Sequence, residues 1–420
     1  MPHETSQPLR VTVVGAGIGG LTAALALRQQ GHHVTVLEKS QLANEMGAAI
    51  GLQPNCTSLL RHLGIEPEEI GATTMLNMVM KESKTLKALD EMTEKVKQAT
   101  VRPAPSKATN IYFIHRADLH SAIKEKATAA EGKGKPVELR VGSQVVNVDH
   151  AAGTVTLADG TVIAGDVVVA ADGVHSACRK LAFGPELRET PSPVCCFRTL
   201  IPTASLLEDP DTRDLVREEG TLTEVSGLDR RVIFYPCSGG KQTNVLATLP
   251  REAGGWTESG WDNSAKRDKL LSAYAEFASP VVRMLEKATE EGVTAWQLFD
   301  LDPLPSWTKG SVALVGDSAH PFSPFLAQGA AQAVEDAIAL SAMLPLGTRA
   351  DDVPRRLRWY EECRRDRATK IQEFSRLRGR EASGQRGEPA AGEDIQRFAG
   401  YIMMHNELVN ATEFLKAKTS

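Results

Sequence analysis

The chain has 420 residues, of which 42% are apolar and 24% are charged, and its formal net charge is −5. These values are typical of a soluble globular protein, exclude wholesale disorder, and favour two structural units or one large interleaved domain. A mildly acidic chain offers no concentrated basic face, so we expect no nucleic-acid partner.

Cysteine usage and the N-terminal residues bear on the cellular compartment. The six cysteines show no paired spacing typical of metal or redox motifs, so we predict reduced, buried thiols and no metal site. The first ten residues are polar, and glycines interrupt the apolar run from Val11 before it reaches the length of a signal peptide or a membrane span. A cytoplasmic location without a membrane-spanning segment is therefore predicted.

The first predicted elements form a βαβ unit. Residues 11–15 and 34–37 are short β-branched runs typical of strands, and residues 21–30 between them repeat apolar positions at helical spacing until Gly31. Two strands joined through a helix in this way are expected to pair in parallel.

The following residues leave this pattern and then return to it. Polar residues fill 81–106, which we interpret as an excursion out of the first domain, and a helix is predicted over 116–130. Strands are predicted over 137–148, 153–162 and 167–170, the last with the continuous apolar character of a buried parallel strand.

Between residues 191 and 301 the predicted strands become longer and alternate in polarity. Residues 231–235 and 243–249 are examples, and a helix is predicted near 267–278. Alternation of this kind is typical of an antiparallel sheet, so we assign this region to a second domain. A buried strand at 311–315 and a helix at 330–343 then return the chain to the first domain.

The C-terminal region is predicted to be helical. Residues 382–393 are rich in Gly, Glu and Ala and predict a flexible loop between two helices. The first of these helices contains RRLRWYEECRRDRATK, in which Glu361, Glu362 and Asp366 lie at helical spacing from arginines. We expect a solvated or subunit-contacting face whose charges pair along the helix.

The glycine-rich turn VVGAGIGG lies between the first predicted strand and helix. In such a turn Gly15 permits the tight bend, Gly17 lets the backbone approach a pyrophosphate, and Gly20 lets the helix pack against the strand. Glu38 ends the next strand at the spacing expected of a carboxylate that binds ribose hydroxyls. A purely structural turn is the alternative, but this context favours an adenine dinucleotide, and the acid favours FAD or NAD over NADP.

Three further segments carry a family resemblance. They are GDVVVAADGVHSACR at 165–179, VALVGDSAHPFSPFLAQGAAQAVEDA at 312–337 and IHRADLH at 114–120. They resemble the DG motif, the GD motif with its flavin-ring loop, and the FAD-contacting arginine segment of the single-component (group A) FAD-dependent aromatic hydroxylases. The similarity is greatest to the salicylate hydroxylase-like branch and spans about the first 345 residues.

The resemblance implies an α/β fold in which a Rossmann-like FAD-binding domain is interleaved with an antiparallel-sheet substrate domain and followed by C-terminal helices. The FAD-binding domain is expected to comprise residues 1–80, 107–185 and 302–345. The substrate domain is expected to comprise 81–106 and 186–301, and the C-terminal helical segment 346–420.

The resemblance also implies the cofactor-binding residues. Arg116 matches the arginine that contacts FAD, and Asp172 lies in the motif near the pyrophosphate. Asp317 is expected to accept a hydrogen bond from a ribityl hydroxyl, with a turn cap as the alternative. The amides of Gly329 and Ala330, which precede a helix, are expected to face the flavin pyrimidine edge.

Other residues are implied at the flavin ring and the substrate. Gly51 is expected near the ribityl chain or the pocket mouth, and Pro321 over the flavin face or, alternatively, as a residue that shapes its loop. CCFRTLIP and VIFYPCSGG resemble strands that line the substrate pocket. Arg198 is expected either to bind a carboxylate or phenolate or to form a structural ion pair. Tyr235 is expected to orient or deprotonate a phenol, or to fill the sheet face.

The implied activity is that of an FAD-dependent monooxygenase of secondary metabolism. NADH or NADPH is a transient hydride donor, and O2 forms a flavin C4a-hydroperoxide that hydroxylates a small aromatic such as a phenol or salicylate. Decarboxylative or dearomatising hydroxylation, epoxidation of an indole or isoprenoid, an FAD-dependent reductase and a dinucleotide sensor without turnover remain alternatives. A homodimer is one of the assembly states that the sequence leaves open.

Overall fold

The structure is a computed structural model and describes residues 7–42, 48–90, 93–94, 106–256, 266–382 and 392–420. The strands are β1 (Arg10–Val14), β2 (His33–Leu37), β3 (Ala49–Leu52), β4 (Thr73–Thr74), β5 (Asn77–Glu82), β6 (Tyr112–His115), β7 (Glu138–Arg140), β8 (Val145–Asp149), β9 (Thr154–Leu157), β10 (Val162–Ala164), β11 (Val167–Ala170), β12 (Thr190–Pro202), β13 (Thr221–Ser226), β14 (Arg231–Cys237), β15 (Gln242–Pro250), β16 (Thr294–Asp300), β17 (Thr308–Lys309) and β18 (Val312–Leu314). The α-helices are α1 (Ile18–Gln29), α2 (Pro54–His62), α3 (Arg116–Thr128), α4 (Ala177–Phe183), α5 (Thr203–Glu208), α6 (Arg213–Val216), α7 (Lys266–Ala273), α8 (Ser279–Glu286), α9 (Gly329–Met343), α10 (Val353–Ala382), α11 (Gly392–Met403) and α12 (Glu407–Thr419).

The first large sheet has the strand order β17-β18-β11-β1-β2-β7 and is parallel except for β17. Its central strands are continuous apolar runs because both faces are covered, as expected for a parallel sheet. All four residues of β11 are buried, and α1 packs against both β1 and α9. The carboxyl ends of β1 and β11 therefore meet beside the glycine turn.

The second large sheet has the order β16-β12-β15-β14-β13-β5 and is antiparallel except for the β13–β5 pair. Its side chains alternate between two faces. On β14, Val232 and Phe234 enter a core shared with α7 and α8, whereas Arg231, Ile233 and Tyr235 line a cavity on the other face. The alternation predicted for this region therefore separates a core face from a cavity face, and the predicted α/β fold class is confirmed.

Several predicted boundaries differ from those in the structure. The expected domain boundary at residue 81 cuts through β5, which starts at Asn77 and pairs with β13 of the second sheet. The strand predicted over 137–148 is two strands in different sheets, β7 and β8, because the chain turns at Gly142 with φ of 63°. The helix predicted near 267–278 ends at Ala273. Most of the loop predicted at 382–393 falls outside the described residues.

All six cysteines are free thiols, and five of them are buried, as predicted. Among the described helices, none is long and apolar enough to cross a membrane.

The arginine-rich helix α10 corrects one prediction. Charges do pair along its surface, as between Arg365 and Glu361 at 2.9 Å. However, the Arg364 side chain is fully buried, and Arg367 is nearly so. The expectation of a purely solvated or subunit-contacting face was wrong because two of its arginines point into the first domain.

Arg364 is the centre of a buried ion-pair network between α10, α9 and α12. Its Nε lies 2.9 Å from Asp336, and its Nη1 lies 2.7 Å from Glu335 and 3.0 Å from Glu407. Although burial opposes ionisation, Arg364 and its charged neighbours lower the pKa of both the Glu335 and the Asp336 carboxyls. Each charge in this network therefore depends on its partners, because a buried charge without a partner carries a large desolvation penalty.

Removal of the central cation is expected to destabilise the fold. We expect Arg364→Met to lower the free energy of unfolding by about 3–5 kcal/mol, because it leaves buried carboxylates without their partner. Urea denaturation followed by tryptophan fluorescence measures the change. Arg358 is exposed on the same helix, so Arg358→Met is the matched control and should change stability by less than about 0.5 kcal/mol. Equal effects of the two substitutions would contradict the assignment.

Candidate active site

Three adjoining cavities run from the first large sheet to the second. The turn cavity, about 270 Å³, lies beside the glycine turn; the central cavity is about 330 Å³; and the apolar cavity, about 260 Å³, lies against the second sheet. The turn and central cavities share walls at Gly17, Ala171 and Gly173. The central and apolar cavities share Gly51, Tyr235, Leu246, Pro324 and Ala327.

The glycine turn has the geometry that an approaching phosphate requires. Gly15 has φ of 102°, and a Cβ there would overlap the Ala171 carbonyl. A Cβ on Gly20 would overlap the Gly15 carbonyl oxygen. Gly17 has an ordinary extended backbone, and a Cβ there would meet no atom within 4 Å. Gly15 and Gly20 are therefore needed for packing, whereas Gly17 leaves its space open to the cavities.

Glu38 lies in the wall of the turn cavity, as its spacing predicted. Its two carboxylate oxygens accept hydrogen bonds from the backbone N–H groups of Ala16 and Ser40, both at 2.8 Å. Each oxygen of a carboxylate has two acceptor positions, so these bonds fix the group and leave capacity for ribose hydroxyls.

Asp172 also lines the turn cavity, but its carboxylate serves the protein itself. It accepts hydrogen bonds from the Ser176 hydroxyl and, at 2.9 Å, from the backbone N–H of Cys178 at the start of α4. The side chain therefore fixes the backbone at Asp172 and Gly173 in the wall of the turn cavity.

The sequence analysis gave no role to Arg179, the last residue of the DG-like segment. Its buried guanidinium donates to the carbonyl oxygen of Ser318 at 2.9 Å and pairs with Glu189 at 2.8 Å. Burial alone would raise the pKa of Glu189, but hydrogen bonds, including those from His175 and Lys180, lower it to about 2. Arg179 thereby joins the DG-like and GD-like segments at the cavity wall.

Asp317 and Arg116 lie in the wall of the central cavity, and their side chains have no hydrogen-bond partner in the described part of the chain. The Asp317 side chain is accessible through the cavity, although protein surrounds it on its other sides. This burial raises the pKa of its carboxyl, and the charges of His320 and Arg116 partly offset the shift. An acceptor and a cation left free beside a cavity are suited to a polar ligand.

Helix α9 begins at the same cavity and presents its N-terminal amides there. The preceding Gln328 makes no capping hydrogen bond, and the first turn has no acidic residue. Gly329 and Ala330 line the cavity, so the positive end of the helix is available to a ligand with partial negative charge. Ala327, just before it, has a left-handed backbone with φ of 52°, which is unusual for a residue with a side chain.

The expected position of Pro321 over a flavin face stays a prediction, and the structure shows which contacts the residue makes. This residue is buried and does not line the three cavities, and its carbonyl oxygen accepts a hydrogen bond from the Gln372 amide at 2.8 Å. Pro324, three residues later, lies at the junction of the central and apolar cavities. The sequence contains both prolines in one loop, and only the fold shows which of them faces the cavity.

Tyr235, one of the two expected substrate residues, lies at the same junction. The Tyr235 ring stacks on Phe113, and its hydroxyl donates to the Ala49 carbonyl at 2.9 Å. Burial raises the pKa of Tyr235 well above its ordinary value. Asn244, which the sequence analysis did not single out, accepts a hydrogen bond from the Ala49 N–H at 3.0 Å. These two side chains fasten β3, and with it Gly51, to the second sheet.

Arg198 projects into the central cavity from β12. Its side chain is half-buried, and its Nε is buried without a hydrogen-bond partner among the described residues. A half-buried guanidinium whose buried Nε donor is unsatisfied beside a cavity is suited to an anionic or hydroxyl oxygen of a ligand.

One cluster has the residue types of a metal site. Ligand atoms of Glu335, His405 and Glu407 lie within 4.8 Å of one another. However, Arg364 pairs with both carboxylates and Arg367 adds a second cation 2.8 Å from Glu335. The carboxylates are thus neutralised by guanidinium groups, which makes the cluster a structural ion-pair network.

Comparisons with known proteins agree with this geometry. The family model described as FAD binding domain matches residues 8–375. The FAD-dependent monooxygenase cfoG of Aspergillus candidus is 33% identical over 385 residues, covering 89% of this chain and 86% of that protein. Hispidin-3-hydroxylase of Neonothopanus nambi is 33% identical and covers 86% of both chains. A solved salicylate hydroxylase substrate complex superposes with a TM-score of 0.76 at 25% identity, covering 97% of this chain and 98% of that one.

The predicted family resemblance and the FAD cofactor are thereby confirmed, and the cavity walls fit FAD. The open space at Gly17 and the carboxylate of Glu38 suit the adenosine diphosphate half. The free Asp317 carboxylate and the uncapped start of α9 suit the ribityl chain and the ring edge.

Two glycine substitutions should separate cofactor binding from folding. We expect Gly17→Ala to raise the dissociation constant for FAD at least about tenfold, because its Cβ occupies the space needed by the pyrophosphate. It should leave the stability of the FAD-free protein within about 1 kcal/mol, since the backbone conformation suits alanine.

Gly20→Ala is the matched comparison and should destabilise the protein by about 1–3 kcal/mol, because its Cβ overlaps backbone. Flavin fluorescence titration and urea denaturation measure the two quantities. Unchanged FAD affinity in Gly17→Ala would show that the open space is not used by the cofactor.

Proposed function

This chain belongs to the FAD binding domain family and is a flavoprotein monooxygenase of the hydroxylase type, and we propose that it uses NAD(P)H and O2 to hydroxylate a phenol. The observation that carries the proposal is the wall shared by the central and apolar cavities. An apolar space that opens directly onto a flavin site allows an aromatic ring to lie beside the cofactor without intervening water.

The residues that would hold FAD are those described at the turn and central cavities, including Glu38, Arg116 and Asp317. When bound, FAD supplies the electron transfer and the activation of oxygen. The first-turn amides of α9 carry a fixed positive partial charge at the central cavity. They would stabilise negative charge on a reduced flavin bound there without reorganisation of solvent.

Arg198 is proposed to hold the phenolic oxygen of the substrate. Its position in the central cavity, together with its unsatisfied buried Nε, supports binding of a phenol as its phenolate. A phenolate is richer in electrons at its ortho and para carbons than the neutral phenol, so a cation that stabilises it promotes attack by those carbons on an electrophilic oxygen.

Tyr235 is proposed to orient the substrate rather than to deprotonate it. Its hydroxyl proton is used in the bond to Ala49, and its raised pKa disfavours the phenolate form that a base would require. The oxygen of that hydroxyl remains able to accept a hydrogen bond from a substrate hydroxyl. Tyr235 thus defines where the reacting ring lies between the two cavities.

The proposed function is tested with the purified holoenzyme. A yellow protein should oxidise NADH or NADPH slowly alone and much faster with a phenol that binds, and mass spectrometry should find a product with one added oxygen atom. A colourless protein that gains no FAD on reconstitution, or oxidation of the nicotinamide that no aromatic compound stimulates, would contradict the proposal.

Replacement of Arg198 should separate catalysis from cofactor binding. We expect Arg198→Ala to retain FAD and its visible spectrum but to lower the rate of product formation about 100-fold, because a preorganised charge beside the reacting oxygen is lost. Arg198→Lys keeps the charge and should recover part of the rate. Single-turnover kinetics with a phenolic substrate provide the measurement, and a normal rate in Arg198→Ala would remove this residue from the mechanism.

A further inference from the structure

The wall of the apolar cavity against the second sheet is one continuous face of neighbouring strands. Glu224 on β13 lies opposite Ile233 on β14, which lies opposite Leu246 on β15, and Met80 on β5 lies beside Glu224. All four line the apolar cavity. Because residues two apart on a strand share a face, the positions Arg231, Ile233 and Tyr235 of β14 follow one another along this wall.

The cavity is long enough for more than one aromatic ring. Tyr235 lies where it meets the central cavity, and Arg231 lines it four residues away on the same strand. Four residues of extended strand span about 13 Å. The volume of about 260 Å³ also exceeds the roughly 150 Å³ that suffices for benzene in a dry engineered cavity.

A buried carboxylate lies on this wall beyond Tyr235: Glu224 is level with Ile233, which is two residues, about 7 Å, along β14 from Tyr235. The Glu224 side chain is only 8% exposed, and its Oε1 accepts from the Ser226 hydroxyl at 2.8 Å and pairs with Arg231 Nη1 at 3.0 Å. Its Oε2 has no hydrogen-bond partner among the described residues. This oxygen therefore keeps its acceptor positions for a hydrogen-bond donor of a ligand in a cavity whose wall is mainly apolar.

The surroundings of Glu224 restrict what that ligand group is. Most of the nearby wall is apolar and includes Met78, Met80 and Leu222. A ligand carboxylate placed against Oε2 would meet a like charge, whereas a hydroxyl would donate a charge-assisted hydrogen bond. The part of the cavity beside Oε2 therefore matches an uncharged hydroxyl on an apolar body.

We propose that the substrate is an elongated phenol whose reacting ring lies beside Tyr235 and whose second, distal hydroxyl donates to Glu224. This inference rests on the proposed function and adds to it a residue that determines specificity. Compounds of salicylate size would fill only the end next to the central cavity.

Binding of a ligand pair to the holoenzyme tests the inference. The dissociation constants of 4,4′-dihydroxystilbene, 4-hydroxystilbene and salicylate are measured from the change that each causes in the absorbance of oxidised flavin. We expect the dihydroxy compound to bind about tenfold more tightly than the monohydroxy compound, which leaves Glu224 unsatisfied, and salicylate to bind most weakly.

Substitutions of Glu224 give a graded comparison. Glu224→Leu should abolish the roughly tenfold preference for the distal hydroxyl, so that the two stilbenes bind with equal dissociation constants. Glu224→Gln keeps a neutral acceptor and should give an intermediate ratio of the two constants. Glu219 is exposed just before β13, so Glu219→Gln is the matched control and should retain the full preference. The wild-type comparison of the two stilbenes does not depend on how well any variant folds.

The outcomes distinguish this inference from the proposed function. Equal affinities of the two stilbenes, or tighter binding of salicylate, would overturn the inference; if phenols still stimulate NAD(P)H oxidation, the proposed function stands. A preference that persists in Glu224→Leu would also overturn it. If no phenol perturbs the flavin or stimulates oxidation, both are overturned.

Discussion

The position of helix α9 depends on the buried guanidinium of Arg364, and the wall of the central cavity depends on α9. Arg364 holds Glu335 and Asp336 on one side of the helix and reaches Glu407 on α12. The first turn of α9 lies in the wall of the central cavity. A network of this kind contributes little net stability compared with apolar packing, but it tolerates few alternative arrangements because each charge requires its partners. The C-terminal helices thus fix the orientation of a cofactor site that is built mainly from residues earlier in the chain.

Features that lie close together in the sequence were predicted well. The glycine turn, the strand before it and the acid that follows are within one βαβ unit, so their spacing alone indicates a dinucleotide site. The structure places Glu38 beside that turn and Asp317 and Arg116 in the central cavity. The continuous apolar run of β11 likewise identified a strand that is buried on both faces.

Features that depend on contacts between distant residues were not predictable from local patterns. Arg364 has the same sequence environment as its exposed neighbours on α10, and only the packing of α9 and α12 against it shows that it is buried. Asn244 bonds to Ala49, 195 residues earlier, so no motif identifies it. The cavity contact of Pro324, and the bond from Gln372 to the Pro321 carbonyl, depend on how one loop folds over the cavity. In each case the position of the residue is determined by contact with an element that is remote in sequence.

The alternation along β14 separates two requirements that selection can act on independently. Val232 and Phe234 belong to the core under α7 and α8, whereas Arg231 and Ile233 line the cavity. Substitutions on the cavity face change the shape presented to a ligand while the core face, which supplies most of the apolar burial, stays intact. Related chains can therefore diverge toward different substrates through point mutations on one side of a single sheet, with the cofactor machinery and the fold inherited unchanged.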